Sequence, residues 1–223
     1  MLKPKKKITK KEIKKDPVLE KVANTYGFVK EKHLIIIKIS LGIAIGIILF
    51  LVWSSHKDKL NLESNLALSK ALISWQTDDL DNAKLQFEIL ADEFKNTSNG
   101  KLANYWLGLI EYNSGNKELA EVYLKKTISY RQVDIILPNA YKVLAHLSWD
   151  KNDKDKAQTY FQKAVKYSLG GNDKLNHKLN LVDFYISQEK FNEANDLLEP
   201  ILETKDLSSA LKIKAEELTG KLN

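Results

Sequence analysis

Residues 103–127 read ANYWLGLIEYNSGNKELAEVYLKKT, two apolar-periodic runs joined by the polar turn SGNKEL. Before the turn stand Tyr105, Leu107-Gly108, Leu109 and Tyr112; after it come Ala120 and, one helical turn further, Leu124. The spacing is that of an antiparallel helical hairpin with a short connection. Outward from Ala120 the register repeats every 37 residues, giving Ala83, Ala120, Ala157 and Ala194, with Phe87, Leu124, Phe161 and Leu198 four residues on. Thirteen residues before each alanine are Lys70, Leu107, Leu144 and Leu181, followed by Ala71, Gly108, Ala145 and Val182. A register held over three successive intervals marks a stacked repeat, in which each unit must cover its neighbour's apolar face.

The pattern predicts an all-α solenoid of four helix pairs. The pairs are Leu60–Gln76 with Leu80–Phe94, Lys101–Ser114 with Lys117–Tyr130, Asn139–Lys151 with Lys154–Ser168, and Asp173–Glu189 with Phe191–Thr204. The turns TDDLDN, SGNKEL, KNDKDK and QEKFNE are short and polar. A last helix, Leu207–Leu222, is expected to cap the open end.

Charge divides the 223 residues into three parts: a basic tail over 1–33, an apolar run over 34–53 and a mixed-charge body over 54–223. The tail holds eleven lysines against Glu12, Asp16, Glu20 and Glu31, a net +7, whereas the body is −2. The basic balance therefore belongs to the tail and not to the folded body, which argues against nucleic-acid binding. The chain has no cysteine, so disulfides, thiolate metal sites and a cysteine nucleophile are excluded, as is a lipid anchor on an N-terminal cysteine.

The run LIIIKISLGIAIGIILFLVW, Leu34 to Trp53, is 20 residues long, about 30 Å as a helix, which matches a bilayer's hydrocarbon core. Its one charge, Lys38, lies close enough to the near end to snorkel, and Trp53 closes the far end where an indole suits the interface. The long charged lead and the absence of an A-x-A-like site in SSHKDKL favour a retained anchor over a cleaved signal. Lysines crowd the N-terminal side, so the tail is expected in the cytoplasm and the body outside it. Gly42 and Gly46, with Ser40 and Ala44 beside them, have the small-xxx-small spacing that lets a second membrane helix approach. Within the tail, Thr9 and Glu12 fit a capping box before Ile13, and Asp16-Pro17 fits a helix start. Val18, Leu19, Val22 and Tyr26 then share one face; a short amphipathic helix on anionic lipid and a plain lysine-rich topology signal both remain open.

Residues 103–127 closely resemble the tetratricopeptide repeat. Leu107-Gly108 matches its Leu-Gly pair, Gly115 its turn glycine, Ala120 its second-helix alanine and Leu124 its large apolar residue. The third pair matches through Leu144-Ala145, Ala157, Phe161 and Ala164; the first and fourth depart, with Lys70 for leucine and Val182 and Ile201 for small residues. The layout of basic tail, single anchor and translocated repeats resembles the ancillary subunit of the SecYEG translocon. That family shares its repeat type with the cell-division coordinator of the Tol–Pal system. The resemblance implies a bacterial inner-membrane protein, N-terminus cytoplasmic and repeats periplasmic, that joins translocon subunits, periplasmic chaperones or exported clients. An envelope-assembly or division scaffold, including a homo-oligomeric one, is the alternative; an accessory domain of an enzyme is a third.

In such arrays the first helix of each pair lines the inner wall. Mapped here, the wall comprises Leu68, Leu72 and Trp75; Tyr105, Leu109 and Tyr112; Lys142, His146 and Trp149; and Leu179, Asp183 and Ile186. Trp75, Tyr112, Trp149 and Ile186 keep the 37-residue step and form a stripe. Aromatic groups so placed serve either as grips for a guest or as packing between units. The wall is expected to be apolar with Lys142 its sole cation, which argues against clamping a chain's terminal carboxylate. The small residues Ala71, Ala83, Gly108, Ala120, Ala145, Ala157 and Ala194 are expected at helix crossings. Four scattered histidines and the lack of any nucleophile elbow, phosphate loop or metal motif predict no catalysis, no cofactor, no metal and no small-molecule substrate.

Overall fold

A computed structural model describes residues 17–130 and 134–222; the capping box expected at Thr9 and Glu12 lies outside them. Nine α-helices and one 3-10 turn are present among the described residues, and no strand. The chain forms two compact units, Met1–Asp58 and Lys59–Asn223.

The first unit is helical through the described residues, and every described side chain from 34 to 53 is exposed. Its most apolar window has a mean hydropathy of 2.8, and none of it is covered by protein. This helix is long and apolar enough to cross a membrane. The helix that carries this window, α1, is assigned over Pro17–Gln76. The polar stretch SSHKDK marks a change of side-chain character, but no proline or glycine follows Gly46 before Gln76, so nothing interrupts the backbone bonds.

The second unit stacks four hairpins and a cap. The last part of α1 pairs with α2 (Leu80–Glu93), α3 (Ser98–Asn113) with α4 (Lys117–Ser129), and α5 (Leu137–Asp150) with α6 (Lys154–Tyr167). Next, α7 (Gly171–Ser187) pairs with α8 (Phe191–Leu202), and α9 (Ser209–Leu222) closes the end. First helices end at Gln76, Asn113, Asp150 and Ser187, and second helices begin at Leu80, Lys117, Lys154 and Phe191, all in the 37-residue step. The links between hairpins do not keep it: α3, α5 and α7 start at Ser98, Leu137 and Gly171, and a 3-10 turn (Asp134–Ile136) leads into α5.

One backbone device sets the constant turn. Asp78, Gly115, Asn152 and Glu189 take φ of 61°, 81°, 59° and 60°. Each donates its N–H to the carbonyl three residues back, and the next residue donates to the carbonyl five back, as in Asp79 N to Ser74 O (3.0 Å) and Lys190 N to Tyr185 O (2.9 Å). These paired bonds form a Schellman motif, which satisfies the last helical carbonyls and reverses the chain. Glutamate is poorly suited to the left-handed region, whereas asparagine and aspartate tolerate it. Glu189→Gly is therefore expected to stabilise by about 0.5–1 kcal/mol, with a smaller gain for Asn152→Gly, in thermal denaturation of the full chain. A loss at Glu189 would show that the turn is not strained there.

The core lies between successive hairpins. Ala71, Ala83, Phe87 and Leu90 pack with Ala103, Leu107 and Ile110 of the next hairpin. Ala120 and Leu124 pack with Ala140, Val143, Leu144 and Leu147, and Ala145, Ala157 and Phe161 with Leu181, Val182 and Phe184. Leu211, Ala215 and Leu218 of α9 cover the last hairpin. One carboxylate joins this core: Glu111 is buried, with Lys84 Nζ 2.7 Å from Oε1 and Asn116 Nδ2 donating to Oε2 at 2.7 Å. Burial would raise its pKa, but the Lys84 and Asn116 bonds outweigh that and hold the carboxyl below its ordinary range.

Candidate protein-binding wall

The first helices of the four hairpins carry the wall residues. Leu68, Leu72 and Trp75 project from α1, Leu109 and Tyr112 from α3, Lys142, His146 and Trp149 from α5, and Asp183 and Ile186 from α7; all are half-buried. Two expected members differ. Tyr105 is buried, its ring 5.5 Å from that of Trp106, and burial pushes its phenol up to about 12. Leu179 is fully buried. Tyr105 packs in the core with Ala140, Val143 and Leu144 of the next hairpin, and Leu179 in the core of the last hairpins, so both are core residues.

The stripe residues pack sideways and stay partly open. Trp75 contacts Trp106 of the next hairpin at 5.5 Å between centroids. Trp149 meets Phe184 of the next hairpin edge-on at 5.4 Å and Phe161 of its own at 6.2 Å, and His146 stacks on it at 6.2 Å. Tyr112 and Ile186 lie against the cores beneath them. An indole held at its edge by neighbouring rings while half-buried is preorganised, and further contact with it loses little side-chain entropy. The small residues Ala71, Ala83, Ala120, Ala145, Ala157 and Ala194 are completely buried, and Gly108 is buried on α3 with Leu124 of α4 against it.

The ring that sequence reasoning passed over is Trp106. It lies parallel to Phe87 at 5.8 Å and touches Trp75 and Tyr105, knitting the first two hairpins. Its places 37 residues either way are Ser69 and Val143, so no periodic signal announces it. The wall's charge also needs correction. Lys142 is not its sole cation: Lys214, on the capping helix α9, reaches back to Asn180 and Asn176 of α7 at 2.6 and 3.4 Å. Among the described residues no group of histidine and acidic side chains is placed to hold a metal ion.

A family model for the tetratricopeptide repeat matches residues 138–169, the α5–α6 hairpin. That hairpin keeps Ala157, Phe161 and Ala164 together, where the preceding one has Leu124 and Thr127 at the last two places. Among solved structures, the crystal structure of MamA protein is similar with a TM-score of 0.52 and 16% identity, over 71% of this chain and 89% of that one. No curated protein matches the chain. The fold is thus a tetratricopeptide-like α-solenoid: four helix pairs, a capping helix, and an apolar N-terminal helix as candidate span.

Proposed function

We propose that this chain is a membrane-anchored scaffold whose solenoid binds other polypeptides on the extracytoplasmic face of a bacterial inner membrane, as an accessory of the Sec translocon or its chaperones. The observation that carries the scaffold reading is the half-buried stripe of Trp75, Tyr112, Trp149 and Ile186 on a tetratricopeptide-like wall. Large rings that are partly solvated and already immobilised are the groups from which binding hot spots are drawn. Anchoring is supported by the apolar, uncovered helix over residues 34–53, and orientation by the lysines that precede it. The assignment to the translocon rests on the resemblance of the whole layout to its ancillary subunit.

Site-specific photo-crosslinking in native membranes tests the proposal. A photoreactive residue in place of Tyr112, which touches fewer rings than Trp149, is expected to capture translocon or periplasmic chaperone subunits. The same residue in place of Leu85, exposed on α2, should give none of these adducts. Capture of division or outer-membrane machinery alone would overturn the Sec assignment and favour an envelope-assembly scaffold. Equal adducts from Tyr112 and Leu85 would overturn the wall itself. Orientation is read separately by protease protection in spheroplasts, where external protease is expected to digest the repeats.

A further inference from the structure

The edge at which the chain enters the solenoid carries an apolar and basic patch that hairpin stacking does not require. Paired helices run antiparallel, so the starts of first helices and the ends of second helices share one edge. Asn99, at the start of α3, ties this edge to the entering helix by donating to Ser64 Oγ (3.2 Å) and Asn65 Oδ1 (2.6 Å). At the third hairpin, Ile135, just before α5, is 73% exposed; Tyr167 and Leu169, at the end of α6, are 42% and 78% exposed. Leu137 and Ala164 share a buried cluster there, and the Tyr141 and Tyr167 rings stack at 5.5 Å, which holds the two segments together. The first and last links join hairpins without such tips, exposing Lys95, Asn96, Lys205 and Asp206 instead.

Two lysines stand in the patch. Lys163 Nζ lies over the rings of Tyr141 and Tyr160 at 5.5 and 5.8 Å, and Lys166 Nζ over that of Tyr167 at 5.9 Å. Neither has an ion pair among the described residues; Asp173, beside the second link, contacts His177 instead. The opposite edge differs. There Lys117 meets Asp150 at 2.6 Å, Lys151 meets Glu121 at 2.5 Å, and Lys156 pairs with Asp153.

We propose that Ile135, Tyr167 and Leu169, with Lys163 and Lys166, dock this edge on the anionic lipid surface of the membrane that holds the chain. Exposed aliphatic tips enter the boundary between headgroups and acyl chains, tyrosine suits that interface, and lysines meet the lipid phosphates. The tether favours lipid over a diffusing partner. Lys59, at the entry to this edge, follows Trp53 by six residues, at most about 22 Å even when fully extended. A patch held on so short a leash meets the bilayer at high effective concentration.

The inference rests on the anchor reading, and one labelling experiment separates the two. Because the chain lacks cysteine, a single cysteine replacing Ile135, Leu169 or Leu119 can carry a nitrobenzoxadiazole dye. Leu119, exposed in the first turn of α4 on the opposite edge, is the control. Full-length protein is reconstituted in vesicles of phosphatidylcholine, or of its equimolar mixture with phosphatidylglycerol, and floated on a density gradient. Lipids spin-labelled on the acyl chain then serve as quenchers. In the anionic vesicles the dyes at 135 and 169 should be quenched and blue-shifted, and the dye at 119 should not. Lys163→Gln combined with Lys166→Gln should lower the docked-to-free ratio about 25-fold, at roughly fivefold for each lysine near an anionic surface. Salt at about 1 M, where the screening length is about 3 Å, should release the edge as well, and this arm needs no variant. Floated protein whose dyes at 135 and 169 quench no better than that at 119 overturns the docking and leaves the anchor standing. Equal quenching in both kinds of vesicle, unmoved by salt, overturns the assignment to anionic lipid. Protein that fails to float overturns the anchor and the docking with it. A photoreactive residue in place of Leu169 that yields protein adducts instead of lipid adducts in native membranes gives the patch to a protein partner and overturns the inference.

Discussion

Gly100→Ala is expected to destabilise the solenoid by about 3 kcal/mol, the upper end of the usual cost of overpacking. The reason is local. Gly100 lies in the first turn of α3, where Thr97 caps the helix by accepting from Gly100 N at 3.1 Å. The chain enters that turn directly from the end of α2, so the Phe94 carbonyl lies against the glycine. A Cβ at this position would stand 2.1 Å from Phe94 O and 2.9 Å from Leu90 O. Both are backbone atoms of the preceding helix end and cannot rotate away, and Phe94 O already accepts from Thr97 N and Oγ1, each at 2.8 Å. Helix propensity acts the other way, favouring alanine by about 1 kcal/mol, and is outweighed. At Gly108 the added Cβ meets the Leu124 side chain at 2.7 Å, which has some freedom to yield. Gly108→Ala should therefore cost less, about 1–2 kcal/mol. Thermal or urea denaturation ranks the two variants; a Gly100→Ala loss no larger than that of Gly108→Ala would mean the α2–α3 junction relaxes freely.

Gly100 also shows what the sequence conceals. Its places one and two repeats on hold Leu137 and Lys174, because the links between hairpins fall outside the common register. By contrast, Ala83, Ala120, Ala157 and Ala194 were readable since each meets the same crossing in its own hairpin, and a shared geometry leaves a shared residue type. The left-handed turn residue recurs as faithfully, yet it is Asp78, Gly115, Asn152 and Glu189. There the repeating quantity is a backbone angle that four different side chains adopt, so only the glycine was visible. Lys214 escaped the wall because α9 lies beyond the last full repeat, and Tyr105 and Leu179 were placed on it because periodicity assigns a face, not the depth at which a neighbour covers it. Trp106 combines both difficulties, being a unique residue at an inward position.

Phe161→Ala should cost about 4 kcal/mol, within the range for deleting a fully buried phenylalanine. The residue is completely inaccessible on α6, and its ring touches three others: His146 edge-on at 5.1 Å, Phe184 at 5.4 Å and Trp149 at 6.2 Å. It thereby supports the third stretch of the wall from beneath while binding the third hairpin to the fourth. For a domain of this size the midpoint should fall by roughly 8–16 °C, at about 2–4 °C per kcal/mol. Phe161→Leu provides the contrast. Leucine occupies the corresponding place at Leu124 and Leu198, both essentially buried, so the hairpin geometry accommodates it, and the expected loss is only about 1–1.5 kcal/mol. The two variants also separate stability from recognition. Phe161→Leu preserves a buried apolar support beneath Trp149, and the photo-crosslinks from position 112 should persist in it. Phe161→Ala leaves a void into which the indole and the His146 ring can sink, so a well-folded preparation at low temperature should show altered Trp149 and His146 resonances. Should Phe161→Ala cost no more than Phe161→Leu, the core between these hairpins must collapse around the gap, and the indole would not be held in place by the ring beneath it.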